Sequence, residues 1–176
     1  MENYLVITAL GEDHPGIIQV LSELVLDSNC NITESRMSVL GGEFAVLMMV
    51  SGRWNELTKL EDALHAQAAS LGLTITCKRT RTRLPAPDLM PYIVEAITVD
   101  HPGIVFRMAD FFAGRNINIQ ELSTTCYAAA HTGTPMFALH MTTNIPANIH
   151  LATLRDEFLD FCEAENIDAT IEPMKP

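Results

Sequence analysis

The sequence has no long apolar run, since none of its hydrophobic stretches approaches the roughly 20 residues that a membrane-spanning helix requires. Its first residues, Met-Glu-Asn-Tyr, also lack the basic start and the apolar stretch of about 7–15 residues that mark a secretory signal. Both absences argue against a membrane partner. We therefore expect a globular protein located in the cytoplasm.

The sequence also lacks the spacings that mark metal sites and catalytic centres. Its four cysteines form no C-x-x-C pair, so neither a zinc knuckle nor a dithiol redox motif is indicated. There is no H-E-x-x-H, no G-x-S-x-G, no Walker loop and no G-x-G-x-x-G. We expect no metal site, no catalytic residue and no enzymatic activity.

Positive charge is scarce as well. The 11 Lys and Arg residues face 22 Asp and Glu residues, which gives a formal net charge of −11. A phosphate backbone would be repelled by such a chain, so we expect no direct contact with nucleic acid. The one basic cluster, Lys78, Arg79, Arg81 and Arg83, is interpreted as a solvated strand end and linker.

The chain does contain an internal duplication. The segment Asp-His-Pro-Gly-Ile at 13–17 returns at 100–104, an offset of 87, and Asn31 and Glu34 return as Asn118 and Glu121. Later in each copy the offset is 94, because the second copy holds about seven extra residues between Thr125 and Met136. Units of over 80 residues can each fold as a small domain. We expect domains at 1–81 and 91–176, joined by a proline-containing linker at 82–90.

Each copy has the same predicted order of elements, β-α-β-β-α-β. Apolar alternation predicts the strands, apolar residues at helical spacing predict the two helices, and Gly41-Gly42 predicts a tight hairpin. A change of phase in the second strand predicts a β-bulge near Glu34 and near Glu121. This order is that of the ferredoxin-like fold, an α+β architecture with one antiparallel sheet and both helices on one of its faces.

The repeated turn offers a candidate anion site. We expect the first helix to begin near Pro15, with Asp13 as its cap, and the same arrangement at Asp100 in the second copy. A helix N-terminus presents unpaired N–H groups and partial positive charge, and Gly16 and Gly103 carry no side chain that would keep a ligand from them. His14 and His101 recur in these turns, either as ordinary capping or packing residues or as acid–base or ligand groups.

Asn31 and Asn118 begin the second strand of each copy. A carboxamide can accept from an ammonium group and donate to a carboxylate, so that each Asn together with Asp13 or Asp100 would complement a zwitterionic amino acid. The alternative is structural, with Pro and Gly shaping the strand-to-helix turn and Asn supplying a cap.

The D-H-P-G-I turn after a first strand, the N-x-N-I segments (Asn29, Asn31, Ile32 and Asn116, Asn118, Ile119) and the order of elements resemble those of ACT domains, small regulatory modules that bind amino acids. The resemblance covers nearly the whole chain as two modules. It implies a ligand between the turn of one unit and a neighbouring unit, within the chain or across a homodimer. The implied ligand contacts are Asp13, Gly16, Ile17, Asn31, Asp100, Gly103, Ile104 and Asn118. We add His14 and His101, which recur in the same turns, to the candidate ligand-binding residues.

A free-standing tandem pair is similar to ACT proteins that repress transcription. The resemblance implies a protein partner, a DNA-binding activator held by the acidic chain, and a small amino acid such as glycine as effector, with no other cofactor. One alternative is an interaction module that regulates a metabolic enzyme without DNA contact. Another is an enzyme that carries an ACT module, but the chain ends at Pro176 with no residues left for a catalytic domain.

Overall fold

The computed structural model describes residues 3–82 and 88–174, and the chain divides into two compact units, 1–84 and 85–176. No helix in the described part of the chain is long and apolar enough to cross a membrane. Residues 83–87, in the expected linker, lie outside the described residues. Leu89 and Met90, which the sequence analysis assigned to that linker, are the first residues of a strand.

The first unit has the predicted order of elements. Its four strands form one sheet in the order β2-β3-β1-β4, and every neighbouring pair is antiparallel. The elements are β1 (Asn3–Glu12), α1 (Ile17–Asp27), β2 (Asn31–Leu40), β3 (Glu43–Gly52), α2 (Trp54–Ala68) and β4 (Leu73–Thr80).

The second unit repeats this topology, with the sheet order β6-β7-β5-β8 and antiparallel pairs throughout. The α+β, ferredoxin-like fold class is therefore confirmed for both copies. The elements are β5 (Leu89–Val99), α3 (Ile104–Ala113), β6 (Asn118–Ala128), β7 (Pro135–Pro146), α4 (Leu151–Ala164) and β8 (Asp168–Pro173).

Each unit has one core between its two helices and one face of its sheet. In β1, Leu5, Ile7 and Ala9 alternate with more exposed residues, as a strand that is covered on one face requires. Ile17 and Leu21 of α1 lie one turn apart and pack into the same cluster. The opposite face of each sheet is not covered by a helix of its own unit.

The finer backbone predictions are confirmed at the hairpin and the bulges. Gly41 and Gly42 both have positive φ, 62° and 93°, which a two-residue hairpin of the favoured twist needs. The register of the second strand shifts between Ile32 and Glu34 in the first unit and between Ile119 and Glu121 in the second. One extra residue in each strand changes the face on which the following side chains lie.

One interpretation of the basic cluster was wrong. Arg79 is not solvated at a strand end: its Nη2 lies 2.6 Å from Glu61 Oε2 and donates to Thr58 Oγ1 at 3.0 Å, and its guanidinium lies 5.8 Å from the centre of the Trp54 ring. Arg79 follows Leu73, Ile75 and Cys77 at a spacing of two, so its side chain lies on the helix-covered face of β4. The spacing was visible in the sequence, but the partner on α2 was not.

Candidate functional site

The two repeated turns have the same backbone conformation. Gly16 has φ 98° and ψ −10°, and Gly103 has φ 98° and ψ −4°; each is the residue that immediately precedes a helix. Positive φ is strained for residues with a Cβ, which explains why glycine occupies both positions. The carbonyl of Gly16 accepts from Val20 N and that of Gly103 from Arg107 N, each at 3.0 Å, so the glycines begin the helical hydrogen bonding.

The expected caps are not formed. Neither helix receives a side-chain cap bond, and helix α1 begins at Ile17, two residues after Pro15. Asp13 and Asp100 instead extend the sheet, because Asp13 N donates to Gly42 O at 3.0 Å and Asp100 N donates to Pro135 O at 2.9 Å. The first N–H groups of a helix have no partner inside it, so those at these helix starts are left for solvent or a ligand.

The two histidines make local contacts. The Nδ1 of His14 lies 3.1 Å from Pro15 O, and that of His101 lies 3.1 Å from Pro102 O. Because a carbonyl can only accept, Nδ1 is the donor in each contact. These residues neither cap the helix nor pack in the core, which were the two ordinary roles considered for them.

Ile17 and Ile104 differ from the other predicted site residues, since each is only 2% exposed and belongs to the core of its unit. Their side chains hold the helix start against the sheet and do not face solvent. A ligand at the turn can therefore meet these residues only through their backbone N–H groups.

The space above both glycines is open. A Cβ added to Gly16 would have no heavy atom within 4 Å beyond its chain neighbours, and one added to Gly103 would meet only Arg107 Nε, at 3.8 Å. Arg107, which also pairs with Glu165, is a site residue that the sequence analysis missed. The available signal was its position, because residues i and i+4 lie on the same side of a helix.

Asn31 and Asn118 are not close to the turn of their own unit. Asn31 pairs with Ser51, which pairs with Tyr4 at the start of β1, whereas Glu12 at the other end of β1 leads into the turn. Eight residues of strand separate these rows, about 26 Å at 3.3 Å per residue. The expectation that Asn31 and Asp13 complement one ligand within a domain was wrong, and the same ladder separates Asn118 from Asp100.

Each unit therefore carries its candidate ligand-binding groups at opposite ends of its sheet, and we call each group a half-site. One half-site is the helix start, with open N–H groups, partial positive charge and an exposed carboxylate from Asp13 or Asp100. The other is the exposed carboxamide at the start of β2 or β6. Among the described residues, no cluster of three or more His, Cys, Asp or Glu could hold a metal ion. The helix start and the carboxamide are groups that can bind the charged ends of a small molecule.

Comparison with known proteins adds a family to this geometry. A family model described as the ACT domain matches residues 3–78. The glycine cleavage system transcriptional repressor of Escherichia coli (strain K12) is 34% identical over 170 residues, which is 97% of this chain and 90% of that protein, and the repressor of Shigella flexneri matches equally.

Two solved structures are similar in fold to this chain over nearly its whole length. The crystal structure of a candidate glycine cleavage system transcriptional repressor is 28% identical, with a TM-score of 0.76, and covers 100% of this chain and 99% of its own. An unknown protein from Galdieria sulphuraria has a TM-score of 0.83 at 24% identity, over 99% of this chain and 100% of its own, and so shows the shared fold alone.

Proposed function

Because this chain belongs to the ACT-domain family of the glycine cleavage system transcriptional repressor, we propose that it senses a small amino acid and regulates glycine cleavage by binding a DNA-binding activator protein. Membership of that family makes it a regulatory protein. The observation that carries the sensing proposal is the turn itself: two copies, in one backbone conformation, each with open space above a left-handed glycine.

The effector site that we propose is completed by a neighbouring ACT unit. The carboxylate of the amino acid binds the free N–H groups at the start of α1 or α3, where the helix dipole favours negative charge. Its ammonium group meets Asp13 or Asp100, and the carboxamide of Asn31 or Asn118 comes from an ACT unit of a second chain. This division follows from the separation of about 26 Å between the two half-sites within one sheet.

The charge of the chain supports a protein partner over direct DNA contact. The second unit is the more acidic, and within residues 88–174 its only basic side chains other than histidine are three arginines. Arg107 pairs with Glu165, Arg115 pairs with Glu157, and Arg155 donates to the Ile171 carbonyl. No basic surface of the kind that tracks phosphates is formed there, so we assign the contact with DNA to the activator.

Regulation then requires that the amino acid has a different affinity for two states of the protein. A coupling free energy of about 1–3 kcal/mol is typical, and it corresponds to a change of about 5- to 150-fold in the affinity for the partner. A ligand that orders a second ACT unit against the first supplies such a difference, because only the assembled state offers both halves of the site.

The sensing proposal is tested by calorimetric titration with glycine, serine and leucine. We expect saturable binding of at least one of them, and a loss of at least tenfold in affinity in a Gly16→Val, Gly103→Val double variant. The control is Gly133→Val, at a left-handed glycine with φ 69° in the loop between β6 and β7, which carries the same kind of backbone strain away from the turns. Absence of heat from every amino acid, or an unchanged double variant, would contradict sensing.

The partner proposal is tested in the same series with the purified activator of the glycine cleavage genes and its operator DNA. We expect the chain to change the mobility of the activator–DNA complex in a glycine-dependent way and to leave free DNA unshifted. Binding of the chain to DNA without the activator would reject the proposed mechanism.

A second candidate function is that of an interaction module without an effector. It is favoured by the apolar residues on the edge strand β2, where Met37, Val39 and Leu40 are 57%, 47% and 72% exposed. Such a strand edge can mediate assembly by itself. An assembly whose size and partner binding do not respond to any amino acid would select this function over sensing.

A further inference from the structure

The second unit contains a pocket of about 360 Å³ between α4 and the sheet. Side chains of three strands (Tyr92, Ile145 and Ile171) and of α4 (Leu151 and Leu154) line it, and Arg155 of α4 adds one guanidinium. This volume lies within the range of about 300–1,000 Å³ that small-molecule sites occupy, and a mostly apolar lining with few polar groups is typical of such sites.

Arg155 has unused hydrogen-bonding capacity. Its Nη2 donates to Ile171 O at 2.9 Å, and no carboxylate of the described residues forms an ion pair with it. A guanidinium has five N–H donors, and most of those of Arg155 have no hydrogen-bond partner among the described residues. Arg107 and Arg115, the other arginines of residues 88–174, both pair with glutamates. Arg155 is thus the exception in an acidic unit.

In the first unit, the equivalent position holds an arginine side chain that forms an ion pair. Its strand register places Arg79 where the second unit has Pro173, because Leu5 pairs with Arg79 and Tyr92 pairs with Pro173. Arg79 reaches from β4 to Glu61 on α2, at 2.6 Å.

The second unit has no equivalent ion pair among its described residues, and the charge at the helix position is reversed. Arg155 stands at the helix position of Glu61, and proline replaces the arginine that would have reached across. The two units therefore differ at this place, because the first has an arginine–glutamate pair and the second has an arginine near a proline. The pocket is far from the repeated turn of this unit, which follows Val99. Seven residues of β5, about 23 Å, separate Tyr92 in the pocket from Val99.

We propose that this pocket binds a small molecule that joins an apolar group to one carboxylate. The carboxylate pairs with Arg155, for which a planar two-point contact is the strongest available geometry, and the apolar group fills the space beside Tyr92, Ile145 and Leu151. No Asp or Glu lines the pocket, so an ammonium group finds no counter-charge there. The site therefore favours simple monocarboxylates over amino acids and is distinct from the proposed effector site.

The test compares three compounds that share one apolar body: 3-phenylpropanoate, 3-phenylpropanamide and phenylalanine. Calorimetry with the full chain is expected to show saturable binding of the acid that is at least tenfold tighter than that of the other two. Methyl NMR spectra should locate the acid at Ile145, Leu151 and Ile171. Equal binding of acid and amide, shifts confined to other residues, or no binding of the acid would overturn the proposal.

Two variants make the test specific. Arg155→Gln should weaken binding of the acid by roughly tenfold to a hundredfold, the range for a lost hydrogen bond to a charged group. It should leave the affinity for the amide unchanged. Ala152→Phe, at an exposed position that lines the pocket, should block both compounds. Arg115→Gln is the matched control, because it removes one guanidinium of the same unit outside the pocket. An Arg155→Gln variant that binds the acid as the wild type does, or a pocket filled by the chain's own residues in a crystal structure, would reject the site.

Discussion

At the scale of single residues, the duplication provides internal comparisons, because two side chains in equivalent positions face the same architecture. Thr143 and Val50 are such a pair: each lies on the covered face of the third strand of its unit, and each is 0% exposed. The hydroxyl of Thr143 has no hydrogen-bond partner among the described residues. A buried polar group without a partner costs free energy, and valine has the same shape without that group.

We therefore expect Thr143→Val to raise the free energy of unfolding of the second unit by about 1–2 kcal/mol, the cost of one unsatisfied buried hydroxyl. Urea denaturation followed by circular dichroism measures the change. The reciprocal variant Val50→Thr should destabilise the first unit by about 1–3 kcal/mol. A Thr143→Val variant less stable than the wild type would show that the hydroxyl is satisfied.

A second residue-scale feature joins the end of α1 to the start of α2. Glu56 accepts from the side chain of Arg53, from Arg53 N at 2.7 Å and from Asn29 Nδ2 at 2.8 Å. These hydrogen bonds, with that of the Arg53 side chain foremost, lower the pKa of Glu56 from 4.5 to about 2. The acceptance from Arg53 N also satisfies one N–H at the helix start.

The lowered pKa predicts a pH dependence of stability. Between pH 4.5 and about 2, Glu56 is protonated in the unfolded chain and ionised in the folded chain. Its contribution to the free energy of unfolding is therefore complete above pH 4.5 and is lost as the pH falls through 2. We expect Glu56→Gln to flatten the fall of the urea midpoint across this window. Glu23→Gln, at an exposed position on α1, serves as the control. A slope identical to that of the wild type would contradict the assignment.

At the scale of elements, the strand order leaves β2 at one edge of its sheet, since it pairs only with β3 within the unit. Its apolar residues Met37 and Val39 lie on the helix side of the sheet and remain exposed. A strand edge with unpaired backbone groups and exposed apolar side chains is a template for pairing with another chain. The first residue of the same strand is Asn31, which supplies half of the proposed effector site.

We expect the chain to self-associate through β2 and a Val39→Lys variant to weaken that association at least tenfold, because a charged lysine on an edge strand opposes pairing. Light scattering over a range of concentrations measures the effect. Leu26→Lys is the control, since Leu26 is 74% exposed on α1 and away from the edge. A wild-type chain that is monomeric at every concentration would reject this prediction.

At the scale of the whole molecule, the two units share topology and differ in chemistry. The first contains the Arg79–Glu61 pair and the exposed β2 edge, whereas the second is more acidic and contains the open pocket beside Arg155. Both retain the left-handed glycine of the turn. The sensing proposal requires that both turns keep this glycine, even where other parts of the two units have diverged.

Much of this molecule was determined by the sequence alone. The duplication, the order of elements, the Gly41-Gly42 hairpin and the bulges at Ile32–Glu34 and Ile119–Glu121 all depend on residues close together in the chain. Periodicity and turn chemistry report such local preferences directly. The glycine turns were likewise identified from sequence, although their left-handed backbone, and hence the later start of α1, was not.

Only the tertiary structure decided which distant groups meet. The sequence placed Asn31 beside the turn, but the ladder from Ser51 to Tyr4 puts it at the other end of the sheet. The sequence pattern predicted a solvated Arg79, whereas in the fold Arg79 pairs with Glu61 of α2. The pocket beside Arg155 is likewise formed by residues that the register brings together from α4 and three strands. These outcomes depend on the register between strands far apart in the chain, and a shift of one residue in that register would exchange the covered and exposed faces of a strand.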